Sequence, residues 1–339
     1  MTSLDPIQES WPEDDLQHLE GCPICGSSKR RLLHQGVRDW AFGSAPGAWT
    51  FWRCLACQIA FLSPRPSMES ISRAYTQYYT HDLHEGGRLR SRLKTRWKNE
   101  RLSFLFQKSI EPRLGLPRIF SSMVAKRAER MSLPFGWREL ADLCPGRLMD
   151  VGCGDGKTMA LARQLGWQAF GLEMDGSAVA AARSRNLEVI QDDFYRLRDF
   201  PGQFDVIICS HVIEHVYSPR ELIDLAWAAL RSGGKLLLST PNVDSDIHQV
   251  FKKYWRGLEA PRHLVLFNQS KLYGLLEQAG FSVEARCDDQ LETLRDSMRI
   301  FRRQSQFNRG ANPVVTPLRQ PLARTELGQD FIKVIASKP

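Results

Sequence analysis

Residues 209–215 read CSHVIEH. His211, Glu214 and His215 are spaced i, i+3, i+4, so on a helical turn they would share one face. His263, in APRH, is a fourth candidate. Three readings suit the set. Glu214 and His215 cap and pack a turn and do nothing else. An imidazole, ionising near neutral pH, takes a proton from a hydroxyl acceptor. Or the histidines and the glutamate hold a metal ion, softer than the hard oxygen-seeking cations.

A second constellation is Cys22-Pro-Ile-Cys25 with Cys54-Leu-Ala-Cys57. Two CxxC knuckles in a reducing compartment point to metal rather than a disulfide. Cys22, Cys25, Cys54 and Cys57 would fill all four positions of a structural zinc ion, as in a zinc ribbon. The 28 residues between the knuckles exceed the usual ~15–20, and aromatics among them could fill a small core. The other cysteines (Cys144, Cys153, Cys209, Cys287) sit mostly in apolar runs and suit buried free thiols.

The third is DVGCGDGKT at 150–158. Gly152, Gly154 and Gly156 would let backbone approach a ligand between a strand and a helix. The spacing is GxGxG, not the GxGxxG of dinucleotide sites. Glu173 falls at the end of the next strand, where a carboxylate can hold ribose hydroxyls. Asp192 and Asp193 end the third strand, where a carboxylate could accept from an adenine amino group with Phe194 against the ring. The bland alternative is a tight strand–helix turn without a ligand, but three such features in order at successive strand ends favour binding.

The elements that must position these groups alternate from residue 141 onward, which argues for a parallel α/β sheet. Strands are expected at 147–152, 168–174, 187–193, 204–210 and 235–241, then at FSVEARC and the final DFIKVIAS. Helices are expected at 157–166, after Asp175 as N-cap, from Ser218 to Gly233, and after Asn268 or Ser270. SPRP at 63–66 is a breaker, and Ser67 opens a helical pattern toward YTQYY. Three parts follow: 1–66 a zinc-ribbon-like module, 67–140 a helical, basic connector, and 141–339 the α/β domain.

Taken together, LMDVGCGDG, GLEMD, FDVIICSHVIEHV, LRSGGKLLLSTPN, APRHLVLF and LLEQAGF resemble the successive motifs of class I S-adenosylmethionine-dependent methyltransferases. The match spans about 145–285 plus the last strand. It implies a Rossmann-like seven-stranded sheet with one antiparallel strand and the cofactor across the strand carboxyl ends. It implies that Asp150, Gly152 and Gly154 hold the methionine part of S-adenosyl-L-methionine. Glu173 would hold the ribose, and Asp193 or Asp192 the adenine. Gly156, Met174, Phe194 and Ser210 complete the expected cofactor contacts. His211, His215 and Glu214 are the expected catalytic groups. The ubiquinone-pathway O-methyltransferases and the small-RNA 3′-end methyltransferases carry Glu-x-x-Glu-His plus a later histidine that binds a divalent ion. Here His211 replaces the first Glu, which weakens hard-cation binding. Some sugar C-methyltransferases resemble the layout of an N-terminal cysteine module before such a domain.

The composition, 42% apolar and 25% charged, is that of a globular protein. No apolar run approaches the ~18–20 residues of a membrane span. The acidic, polar N-terminus resembles neither a signal nor a transit peptide, so a cytoplasmic protein is expected. The net charge of +8 is uneven. Residues 88–130 hold thirteen Lys or Arg against three Glu, a net +10, which leaves −2 for the rest. GRLRSRLKTRWKNERLSFLFQKSI sets Leu89, Leu93, Trp97, Phe104 and Leu105 near one helical face. This is a solvated helix on the catalytic domain, a contact through 88–110 for an anionic membrane at the inner face, or, with no recognised motif, a nucleic-acid contact. The expected reaction is methyl transfer to a hydroxyl of a glycan, glycolipid or related small molecule. The alternatives are a metal-assisted RNA or quinone-type O-methyltransferase and an inactive cofactor-binding adaptor.

Overall fold

The computed structural model describes residues 10–75, 88–116, 133–286, 293–307 and 329–339. In chain order the strands and helices are β1 (Leu16–Gln17), β2 (Arg30–Val37), β3 (Trp49–Cys54), β4 (Ala60–Leu62), β5 (Arg65–Pro66), α1 (Arg88–Phe106), α2 (Trp137–Asp142), β6 (Arg147–Val151), α3 (Lys157–Gln164), β7 (Gln168–Glu173) and α4 (Gly176–Arg183). They continue with β8 (Glu188–Gln191), β9 (Phe204–Ser210), α5 (Pro219–Ala229), β10 (Leu230–Pro241), α6 (Asp246–Phe251), β11 (Val265–Leu266), α7 (Gln269–Gln278), β12 (Ser282–Arg286), α8 (Leu294–Phe307) and β13 (Phe331–Ser337).

The expected seven-stranded sheet is present, in the order β12-β13-β10-β9-β6-β7-β8. β6 pairs in parallel with β7 and β9, and β7 with β8. Parallel strands covered on both faces read as continuous apolar runs. β6 does so: Leu148, Met149, Asp150 and Val151 are all buried. Asp175 caps α4 by accepting from the Ser177 amide at 2.9 Å, and Asn268 caps α7 by accepting from Lys271 at 2.7 Å. Both satisfy amides that a helix start leaves open.

Two expectations need correction. α5 ends at Ala229, not Gly233, because the amides of Gly202 and Gln203 take the carbonyls of Ala228 and Ala229. With its last carbonyls bonded elsewhere the helix stops, and β10 begins at Leu230. Cys144, expected to be buried, is exposed in the turn before β6, whereas Cys153 and Cys209 are buried as expected. Cys287 and most of the Arg-, Gln- and Pro-rich stretch 290–325 lie outside the described residues, as do YTQYY beyond Tyr75 and the basic residues after 116.

The chain clusters into two compact units. One comprises residues 1–78, 211–224 and 238–336; the other 79–210, 225–237 and 337–339. In the first unit β2, β3 and β4 form an antiparallel sheet whose fourth strand is β11, in the order β11-β4-β3-β2. Val265 lies opposite Phe61, and Leu62 donates to the Leu264 carbonyl at 3.0 Å. The segment after His263 is thus woven into the cysteine-bearing sheet.

Candidate functional site

In the second unit the chain leaves β6 through a glycine loop. Gly152, Gly154 and Gly156 have φ of 67°, 54° and 77°, the left-handed region that only glycine enters freely. A Cβ on Gly156 would lie 2.3 Å from Leu187 Cδ1, so packing as well as φ excludes a side chain there. The amides of Gly152 and Cys153 both donate to the Leu172 carbonyl. Gly154 donates to Glu173 Oε2 at 2.9 Å, and Asp175 donates to Glu173 Oε1 at 2.9 Å. Glu173 therefore ties the loop to the end of β7. A Cβ on Gly171 would meet Cys153 Sγ at 2.6 Å and Met159 Sδ at 2.7 Å, so this unflagged glycine lets the loop lie on β7.

Asp150 is buried beneath the loop. Burial, and then the Glu173 carboxylate, push its carboxyl up to about 7. Cys209, opposite Val151 on β9, is raised by burial and then by Asp150. After β8, Asp192 accepts from the Asp193 amide, and Asp193 caps the 3-10 turn Phe194–Asp199 by accepting from Tyr195 at 2.8 Å. Phe194 is buried, its ring 4.2 Å from that of Tyr195, whereas Met174 is 69% exposed. Ser210 is half-buried at the end of β9.

The histidine cluster belongs to the first unit. Residues 211–216 form no helix: His211 has φ +57°, and a turn closes from the His215 amide to the Val212 carbonyl at 2.9 Å. The turn still brings the side chains together, through contacts that spacing alone did not predict. Glu214 is fully buried. Its Oε2 accepts from Thr240 Oγ1 at 2.9 Å, and its Oε1 faces His211 Nδ1 at 3.3 Å. Burial favours the neutral acid. The His211 hydrogen bond and the neighbouring His211, His215 and His263 outweigh it and hold Glu214 down to about 2. A carboxylate that ionised is an acceptor, so Nδ1 of His211 carries the proton that faces it. The His211 side chain is 43% exposed and edge-on to Phe331, with ring centres 4.8 Å apart.

His215 and His263 are of a different kind. His215 Nδ1 lies 3.0 Å from Tyr75 Oη, and burial, then His263, lowers it to about 4. His263 Nδ1 donates to the Gly257 carbonyl at 2.7 Å, and burial lowers it too. Their rings meet edge-on at 4.6 Å. One ligand atom each from Glu214, His215 and His263 lies within 4.8 Å of the others. Next to His263, the buried Arg262 bonds Asp39, Ala74 and Glu259. Thr240, Tyr75, Asp39 and Arg262 were missed in the sequence. Their only signals were the end of an apolar run for Thr240 and adjacency to His263 for Arg262.

The four cysteines converge as expected. Cys22 and Cys57 sulfurs are 3.5 Å apart and those of Cys25 and Cys54 3.6 Å. The Ile24 amide points at Cys22 Sγ (3.4 Å) and the Cys57 amide at Cys54 Sγ (3.5 Å). Burial raises the Cys54 thiol, but the amides of Cys57 and Ala56 outweigh it and bring it to about 7.

A family model described as a methyltransferase domain matches residues 99–286, more than half of the chain. A probable S-adenosylmethionine-dependent methyltransferase of Mycolicibacterium smegmatis is 30% identical over 151 residues, 44% of this chain and 57% of that protein. The ubiquinone biosynthesis O-methyltransferase of Xanthomonas euvesicatoria pv. vesicatoria is 34% identical over 108 residues, 30% of this chain and 45% of that protein. The chain thus spans about half the length of the curated relatives it matches. A crystal structure of a methyltransferase from Archaeoglobus fulgidus aligns at TM-score 0.42 and 18% identity, covering 64% of this chain and 94% of that one. With its strand order, glycine loop and matched domain, the chain belongs to the class I S-adenosylmethionine-dependent methyltransferases.

Proposed function

We propose that the protein methylates a hydroxyl oxygen of a small molecule, with His211 as the base and Glu214 as the group that orients it. The observation that carries this is the Thr240–Glu214–His211 chain. A buried, ionised carboxylate holds one imidazole nitrogen of a part-exposed ring, and the other nitrogen is the one assigned to the acceptor's proton. The cofactor supplies an activated methyl group with a neutral thioether as leaving group. The chain's task is then to bind, orient and deprotonate. Asp150 and the close backbone approach at Gly152 and Gly154 are assigned to the methionine part, Glu173 to the ribose, and Asp192 to the adenine. Each carboxylate accepts one amide, and Asp193 is the weaker adenine candidate because its bond caps the following 3-10 turn and fixes its direction.

The acceptor is proposed to be phenolic. A neutral imidazole is only ~3–4 pH units below a phenol, against many more for an alcohol whose acidity approaches that of water. The name of the ubiquinone-pathway relatives supports an O-methyl product. A glycan hydroxyl is the second acceptor class. Label from methyl-labelled S-adenosylmethionine, partitioned among the fractions of a cell extract, tests this. An extractable aromatic methyl ether is expected. Polysaccharide label would move the acceptor to a glycan, and RNA label would overturn the proposal. Turnover with any acceptor excludes an inactive adaptor.

A second reading rests on the convergence of Glu214, His215 and His263. Nδ1 of both histidines is engaged, so a divalent ion of borderline softness would take their Nε2 atoms, with His263 Nε2 turning from Glu259 Oε2, 3.8 Å away. Turnover that survives exhaustive chelation would remove this reading while leaving the His211 base in place.

Zinc on the four cysteines is likewise a proposal. The sulfur separations are close to those of a tetrahedron with ~2.3 Å bonds. The amides aimed at Cys22 and Cys54 favour thiolates, against the burial that raises Cys22 to about 11, and the four converging sulfurs fit the donor set.

A further inference from the structure

We infer that the exposed half of α1 is a docking surface for an anionic lipid bilayer. From Arg92 to Lys98 every residue is exposed. The helix is held by its other half. Asn99 Nδ2 donates to the Pro112 carbonyl, Glu100 accepts from the Gly115 and Leu116 amides, and Ser103 Oγ accepts from Ile110. Lys98 lies over the Trp137 ring at 4.6 Å. The projecting half carries Arg92, Lys94 and Arg96 and no acidic residue. The acidic residue one turn from Arg96, Glu100, is buried and taken up by the Gly115 and Leu116 amides, so it does not offset the charge of this face.

The apolar residues on this helix are ordered. Leu93, Trp97 and Phe104 are 47%, 39% and 41% exposed. At ~100° per residue they fall within about 40° of one another around the axis. Arg92 and Arg96 lie on one side of that stripe, Lys94 and Arg101 on the other. An aromatic stripe between basic flanks is the pattern of a helix lying in a membrane interface. The rings enter the headgroup region and the long basic side chains meet anionic lipid. Nucleic-acid phosphate would explain the charge but would leave three large apolar side chains in water. Among the described residues no helix is long and apolar enough to cross a membrane, so the contact is peripheral. The surface is independent of the acceptor assigned above, and it would bring the catalyst to a lipid-dissolved substrate.

The test is co-sedimentation of the full chain with phosphatidylcholine vesicles and with equimolar phosphatidylcholine–phosphatidylglycerol vesicles. Binding is expected to be at least about tenfold tighter to the anionic vesicles at low salt, and to weaken as salt rises. The double variant Leu93→Ser, Trp97→Ser keeps every charge and is expected to lose most of that binding. Arg92→Gln, Lys94→Gln, Arg96→Gln should lose the preference for anionic lipid. Neither variant touches the cofactor or cysteine residues, so unchanged cofactor affinity certifies folding. Indifference to anionic vesicles would overturn the inference. So would full vesicle binding by the serine variant, or tighter binding of single-stranded or duplex RNA than of vesicles. Vesicle binding is read without turnover, so its failure is distinguishable from failure of the proposed chemistry.

Discussion

Arg262 and Asp39 form an ion pair at 2.5 Å with side chains 0% and 1% exposed. Asp39 also accepts from the amides of Phe42, Ser44 and Ala45, and Arg262 donates to the Ala74 carbonyl and to Glu259. The residue beside His263 is thereby anchored to the loop between β2 and β3. Removing Asp39 leaves the buried Arg262 to Glu259 and takes the acceptor from three backbone amides. Asp39→Ala is expected to cost about 3–5 kcal/mol in urea unfolding. A cost below about 1 kcal/mol would mean that the pair does not hold this region.

The zinc proposal makes a linked prediction. Asn268 caps α7 and also donates through Nδ2 to the Cys57 carbonyl at 3.2 Å, while β11 pairs with β4. The knuckle and the segment after His263 therefore share bonds within one unit. Purified protein should contain about one zinc per chain, and its removal should lower melting temperature and turnover together. Elemental analysis that finds no zinc, or turnover unchanged after complete removal, would defeat it.

The strands of the seven-stranded sheet, the glycine loop, the helix caps at Asp175 and Asn268 and the meeting of the cysteine pairs were legible in the sequence. Each depends on local pattern: apolar runs, positive-φ glycines, capping residues, paired knuckles. What escaped was non-local. Val265–Leu266 is too short to read as a strand, and only its pairing with β4 makes it one. Thr240 and Tyr75 reach the histidine turn from 26 and 140 positions away, where periodicity gives no sign. His211, Glu214 and His215 would share one face if a helical turn started there, yet they lie on a turn with positive φ at His211.

The dyad sets an order of effects. His211→Ala should lower kcat by about 10²–10⁴-fold, the range for a general base, with cofactor affinity kept. Glu214→Gln removes the charge that fixes the His211 tautomer and should give a similar loss. Thr240→Val withdraws only a neutral hydrogen bond and should cost far less. Steady-state kinetics with titrated cofactor binding would separate these. Wild-type kcat in His211→Ala would show that the acceptor's proton goes elsewhere.

On the cofactor side, Glu173→Ala removes both acceptors of the loop amides and the proposed ribose contact. Charge-assisted hydrogen bonds contribute ~1.5–3 kcal/mol, so S-adenosylmethionine affinity should fall about ten- to a hundredfold by calorimetry. Asp192→Ala should weaken it less. Asp193→Ala should instead lower stability by about 1 kcal/mol through the lost cap. Equal affinity losses for Asp192→Ala and Asp193→Ala would contradict assigning the adenine to Asp192.

Acid should unfold the protein early, and the sign follows from where the buried groups titrate. His215 and His34 protonate only near about 4 and about 3 in the folded chain, chiefly because burial disfavours the cation, against 6.5 for a histidine in water. As pH falls below 6.5 the unfolded chain therefore binds protons that the folded chain refuses, and stability drops. Glu214, held at about 2 against an ordinary 4.5, adds to the loss as pH falls further. Asp150 works the other way: its folded carboxyl keeps a proton up to about 7 while the unfolded one ionises near 3.8, so it lowers stability as pH rises through that window. Two histidines outweigh one aspartate between pH 4 and 6.5, so the midpoint of urea unfolding should rise with pH there. Asp150→Asn removes the opposing group and should steepen that rise, while His34→Gln should flatten it. A midpoint that is level across the window in the wild type, with neither variant changing the slope, would show that these groups are not held as the fold places them.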